Sequence, residues 1–166
     1  TTTFCLIPDL INDITIPIIS AGGIANGSSI FAAFALGAEG VQIGSRFAIS
    51  KESSSHINFK KYVVSSKEGD TLLTLKELTA VRLLKNKFYD KIKQAYSNNY
   101  SDDQLKELLG RGRAKRGMFE GDIKEGELEI GQVSAIINDI DSVENIMLDL
   151  VDGFNKTKNR LKKINF

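Results

Sequence analysis

Two glycine-rich turns, each running straight out of a short apolar strand and separated by one small-residue helix, constrain the fold of this chain more than any other feature. The stretch runs from Ile16 to Arg46 and reads IPIISAGGIANGSSIFAAFALGAEGVQIGSR. Ile16, Ile18 and Ile19 predict a first strand and Val41 and Ile43 a second, with helical spacing between them. A helix between two strands carries the chain back to its starting side, so the strands run parallel and the unit is a βαβ crossover. Asn26 or Ser28 is the expected helix cap, and Gly37 with Gly40 closes the turn after the helix. Ile30, Phe31, Phe34 and Ala38 are expected to face the sheet.

The turns have chemical consequences. Ala21-Gly22-Gly23 and Gly44-Ser45 offer backbone N–H groups at the carboxyl ends of parallel strands, where glycine lets an anion come close. Helices that begin after such turns add their positive ends. Arg46 can contribute a charge-assisted bond to a phosphate, or it can pair with a carboxylate of the chain itself. A buried crossover with tight turns is the alternative that needs no ligand.

The chain has 166 residues, of which 42% are hydrophobic, enough to bury a core in one domain with an appendage. Its formal charge of +1 supplies no field to recruit nucleic acid or an acidic membrane. Cys5 is the single cysteine, so neither an internal disulfide nor a cysteine-rich metal site is available. No apolar run approaches the roughly 20 residues that span a bilayer, and no secretory leader is visible. A cytoplasmic location is expected.

Outside the central stretch, Leu6, Ile7, Leu10, Ile11 and Ile14 predict a leading helix with Pro8 in its first turn. Downstream, helices are expected over Ser53 to Ser66, over VRLLKNKFYDKIKQAY and over DDQLKELLG, with Ser101 or Asp102 capping the last. Thr71 to Leu75 is a short strand or a turn. Arg111, Arg113, Lys115 and Arg116 stand immediately before Glu120, Asp122, Glu125, Glu127 and Glu129, so local pairing is expected rather than a nucleic-acid footprint. Gly131-Gln132 opens a helix VSAIINDI, and Asp141 with Glu144 forms a capping box for a final helix with Met147 in its core. The sections are residues 1–50 for the strand–helix–strand part, 51–120 for a helical insertion and 121–166 for returning helices.

The run PIISAGGIANGSSIFAAFALGAEGVQIGSRF resembles the late-strand phosphate site of the nitronate monooxygenase family, once called 2-nitropropane dioxygenases, which includes flavin-dependent enoyl-ACP reductases. Lys51-Glu52-Ser53 through His56, Val81 to Asn86, Phe119-Glu120-Gly121-Asp122, and Glu125-Gly126-Glu127 to Gly131-Gln132 extend the resemblance over nearly the whole chain. It implies an α/β fold: the C-terminal part of a TIM (β/α)8 barrel, truncated at its N-terminus, with a small helical cap. It implies FMN as cofactor, with Gly22, Gly23, Gln42, Ile43, Gly44, Ser45 and Arg46 around its phosphate. Ser45 stands where many members carry threonine, and the hydroxyl survives that exchange.

The same resemblance places the family's histidine, and the residues around the flavin ring, upstream of Thr1. No catalytic residue is therefore assigned, and His56 is expected to be structural. For the parent protein the implied reaction is oxidation of an alkyl nitronate by oxygen to a carbonyl compound and nitrite. NAD(P)H-dependent reduction of an enoyl thioester is the alternative, and a non-enzymatic phosphate-binding or interaction module is a third reading. The expected partners are the small-molecule substrate and the missing N-terminal half of the barrel, with homo-oligomerisation as another way to complete the sheet. The piece alone is expected to be inactive.

Overall fold

The computed structural model describes residues 2–164. They divide into two compact units, one joining residues 2–47 to 141–164 and one holding Ala48–Ile140. The 121–140 segment belongs to the second unit and the helix that follows it to the first.

The first unit is the expected crossover. Strand β1 (Ile19–Ala21) pairs in parallel with β2 (Gly40–Gln42), in the register Ile19↔Gly40, Ser20↔Val41, Ala21↔Gln42. Helix α2 (Gly27–Ala35) connects them, preceded by α1 (Thr3–Leu10) and followed by the short α3 (Ser45–Ala48). Asn26 starts α2: its side chain accepts from Ser29 N–H while the Ser29 hydroxyl accepts from Asn26 N–H, a reciprocal box that satisfies two otherwise orphaned donors. Ile7, Ile24, Ala33 and Ala38 form the buried core, flanked by Ile30, Val41 and Ile43. Residues alternate across a strand, so Ser20 and Val41 face the helices while Ile19, Ala21 and Gln42 share the opposite face. That face is bare, and Ile19 is 57% exposed.

Helix α7 (Val143–Leu161) closes the unit from far along the chain. A Cβ on Gly27 would overlap the backbone of Leu150, Gly153 and Phe154, so only glycine lets the two helices approach this closely. Thr157 gives its hydroxyl proton to the Gly153 carbonyl at 2.9 Å, which makes Ser28 the donor in the 2.7 Å bond between Ser28 and Thr157. Phe154 sits beside Phe31 and Phe34, with ring centroids 5.4 and 5.9 Å away.

In the second unit, α4 (Ile57–Val64) leads to an antiparallel hairpin of β3 (Thr71–Thr74) and β4 (Val81–Leu84), then α5 (Lys87–Ser97) and α6 (Asp102–Leu109). Its core is Leu75, Leu83, Phe88, Ile92, Ala95 and Leu105. Arg113 pins this core from outside. Its guanidinium lies 4.3 Å from the Phe88 ring centroid and donates to the carbonyls of Leu108, Leu109 and Glu125. A π-helical turn (Lys115–Phe119) and a 3-10 turn (Gln132–Ile136) complete the unit.

The α/β class agrees with a partial (β/α)8-type barrel carrying a helical cap, and the two small sheets do not close into a barrel. Several elements differ from expectation. Pro8 lies in the interior of α1 rather than its first turn, and the helix stops at Leu10, short of Ile14. Ile16 lies outside β1 and is 70% exposed. Val81–Leu84 is a strand, since it pairs with β3 instead of extending α5, whose cap is Asn86. Residues 53–55 form a serine-bonded turn in which the Ser53 and Ser55 hydroxyls both donate to the Ala48 carbonyl, so α4 starts only at Ile57. Ser142 caps α7, while Asp141 accepts from Ser142 N–H and the Asn145 amide. Met147 is half exposed rather than core.

Substituting Gly27→Ala forces backbone apart and is expected to cost at least about 1–3 kcal/mol, against about 1 kcal/mol for Ser28→Ala, which loses one hydrogen bond. Urea unfolding of the two variants checks the order.

Candidate functional site

The parallel register decides which candidate residues meet. Ala21 and Gln42 are paired, so Gly22-Gly23 and Ile43-Gly44 leave the same edge of the sheet side by side, about 4.8 Å apart in the pairing direction. Gly22 and Gly23 both adopt positive φ, +96° and +75°, the left-handed region that glycine enters without strain. The Thr3 hydroxyl braces this turn from the first turn of α1, lying 3.2 Å from the Gly22 carbonyl and 3.4 Å from that of Ala21.

Gly44 is informative for a different reason. It is absent from the positive-φ glycines, and a Cβ there would meet nothing within 4 Å. Neither backbone conformation nor packing inside the protein requires glycine at this place, and the space in front of it is open. Gly23 likewise has nothing within 4 Å of a Cβ position. The two turns therefore leave uncrowded backbone at the same end of the sheet.

Among the other candidates, Ser45 starts α3 beside Gly44, and Gln42 lies on the bare face of the sheet with Ala21. Arg46 is only 8% exposed and is already engaged within the chain, as is Ser45. Helix α2 contributes less than its position in the sequence promises. Its first turn is occupied by the Asn26–Ser29 box, and Ser28 turns to Thr157 instead of capping. Sequence reasoning missed Thr3, whose only signal is a hydroxyl at the start of a helix.

His56, the single histidine, has a structural part. Its Nδ1 accepts from Asn58 N–H at 3.1 Å at the start of α4, and its ring fills the space that a Cβ on Gly121 would need. The basic run pairs locally, as expected: Arg116 binds Asp122 at 2.6 Å and Lys115 binds Glu120 at 3.2 Å. Backbone and Arg116 hydrogen bonds hold the Asp122 carboxyl below its ordinary range. Lys60 is buried, with Nζ donating to the carbonyls of Ser50 at 2.5 Å and Ser53 at 2.8 Å. Glu127 is a strongly perturbed acid: burial first, then the neighbouring Glu129, pushes it up to about 7, against the pull of Arg113. Among the described residues no group of three or more histidine, cysteine or acidic side chains could hold a metal ion, and no helix is long and apolar enough to cross a membrane.

A strand–helix–strand unit whose two turns open together at the carboxyl edge is an α/β arrangement consistent with part of a (β/α)8-type barrel. The chain matches the nitronate monooxygenase family over residues 1–153 and belongs to it. It is 31% identical over 150 residues to a probable nitronate monooxygenase of Staphylococcus saprophyticus, covering 87% of this chain and 42% of that protein. FabK from Thermotoga maritima is 37% identical with a TM-score of 0.90, covering 98% of this chain and 51% of that one. A nitroalkane oxidase from Streptomyces ansochromogenes gives 25% and 0.75, over 96% of this chain and 45% of that one. The chain thus spans about half the length of these relatives.

Glu127 keeps its proton in the folded state up to about pH 7, whereas the unfolded value is 4.5. The folded state therefore binds more protons between those values, and stability falls as pH rises through that window. Glu127→Gln is expected to raise stability by about 1–2 kcal/mol at pH 8 and to change it little below pH 4.5. Thermal unfolding across that pH range measures both ends.

Proposed function

We propose that this chain is the phosphate-holding and cap portion of an FMN-dependent oxidoreductase, and that the reaction of the whole protein is NAD(P)H-dependent reduction of an enoyl thioester. The observation that carries the cofactor is Gly44, a glycine that the protein's own packing and backbone do not require, beside the two positive-φ glycines of the first turn. Those backbone N–H groups, with Ser45 at the start of α3, suit three phosphate oxygens and an ester link. The flavin supplies the redox chemistry when bound. This chain's part is to bind its phosphate, to fix where the ring begins and to present Gln42 and Ala21 on the sheet face next to it.

Nitronate oxidation was the expected reaction, but the enoyl reductase reading now has better support. Likeness to FabK exceeds likeness to the nitroalkane oxidase in both identity and TM-score. The oxidase reading keeps one specific argument, the name carried by the curated Staphylococcus relatives.

Fluorescence titration of the purified protein tests the cofactor. FMN is expected to bind at least about tenfold tighter than riboflavin, which lacks the phosphate, and Gly44→Val is expected to erase the difference while leaving the circular dichroism spectrum unchanged. Equal affinity for the two flavins contradicts the assignment. Anaerobic NAD(P)H consumption that depends on an enoyl thioester then supports the reductase. Nitronate-dependent oxygen uptake without NAD(P)H, and with no thioester reduction, decides for the oxidase.

A further inference from the structure

One buried charge stands outside the glycine turns and is held by carbonyl oxygens alone. Lys60 lies in α4 and is 5% exposed. Its ammonium donates to the carbonyls of Ser50 at 2.5 Å, Ser53 at 2.8 Å and Lys51 at 3.4 Å, which uses all three of its protons. No carboxylate pairs with it among the described residues. Burying an ammonium without a counter-ion is costly, and an apolar side chain of the same length would fill the space without that cost. What the charge adds is convergence, because it draws three carbonyl oxygens to one point through charge-assisted bonds.

The residues that supply those carbonyls form one turn, closed also by Ser53 N–H donating to the Ser50 hydroxyl at 3.2 Å. That turn stops α3. The Ser53 and Ser55 hydroxyls donate to the Ala48 carbonyl at 2.7 and 2.6 Å, and Ala48 is the last residue of α3. A four-residue helix is a single turn, and nucleating a turn costs more than its own hydrogen bonding returns. Its direction is therefore set at its ends. Ser45, the first residue of α3, follows Gly44 directly, so what fixes the far end of this turn of helix also fixes how the Gly44-Ser45 backbone leaves the sheet.

We propose that Lys60 is a positioning residue for the second glycine turn, a role that rests on the phosphate reading of that turn. Its ammonium acts as a tethered cation that gathers the 50–53 turn. The Ser53 and Ser55 hydroxyls then hold Ala48, and α3 in its turn holds the Gly44 and Ser45 N–H groups on one anion.

Fluorescence titration with FMN and with riboflavin, at one ionic strength, tests this role. A loss of fold weakens both flavins, whereas a loss of aim removes only the preference for the phosphate. Lys60→Ala is expected to reduce the preference for FMN over riboflavin by about tenfold. Propylammonium, the group that this substitution deletes, is expected to restore it, while tetramethylammonium, which carries the charge but no N–H, is not. Ser55→Ala removes one of the two hydroxyl bonds to Ala48 and leaves Lys60 in place. It is expected to lower the preference by about threefold, and it reports even if Lys60→Ala fails to fold. An unsubstituted protein with no preference for FMN overturns the phosphate reading and the Lys60 role with it. A clear preference that survives intact in either folded variant, or recovery that is equal with the two amines, overturns the Lys60 role alone.

Discussion

The contact on which the first unit depends is the meeting of two glycines, Gly27 at the start of α2 and Gly153 in α7. At Gly27 a side chain has no room, and the backbone atoms of Leu150 to Phe154 occupy the space it would need. Around that contact the Ser28–Thr157 bond and the Phe154 ring fix the rotation of α7 against α2. Helix α2 in turn sets the spacing of the two parallel strands, and their register sets the two turns side by side. A contact at the N-terminal end of one helix thereby helps to determine where the two glycine turns sit.

The same contact explains an electrostatic outcome. A helix N-terminus after a glycine turn is ordinarily an anion site, but here the first turn of α2 is satisfied by Asn26 and Ser29 and backed by α7. Beside the open glycines the chain passes directly into the four-residue α3. This is a division of labour between two helices that both follow glycine turns: α2 is closed for packing, and α3 stands next to exposed backbone.

Local chemistry was legible in the sequence wherever the deciding interaction is local. The crossover, the Asn26 and Ser101 caps, and the mutual neutralisation of the 111–129 charges all depend on residues a few positions apart. Errors arose where neighbours compete or where the partner is remote. Asp141 and Ser142 are both able to cap, and only the chain direction at α7 selects the serine. Val81–Leu84 carries apolar residues compatible with a helix, yet β3 pairs it into a strand. The glycine contact could not be read at all, because its members are more than a hundred positions apart; the neighbouring Ser28–Thr157 bond spans 129. In the candidate site the glycines were legible by type, while the openness in front of Gly44 and the bracing by Thr3 were not.

The central claim is that the Gly22-Gly23 and Gly44-Ser45 turns act as one phosphate cradle while the N-terminus of α2 stands aside. Amide-resolved NMR titration of the protein with inorganic phosphate, and then with FMN, measures this directly. The account predicts that the amides of Gly22, Gly23, Gly44 and Ser45 shift together along a single binding curve, with Gly27, Ser28 and Ser29 unmoved. Shifts confined to one turn, or centred on the first turn of α2, contradict it.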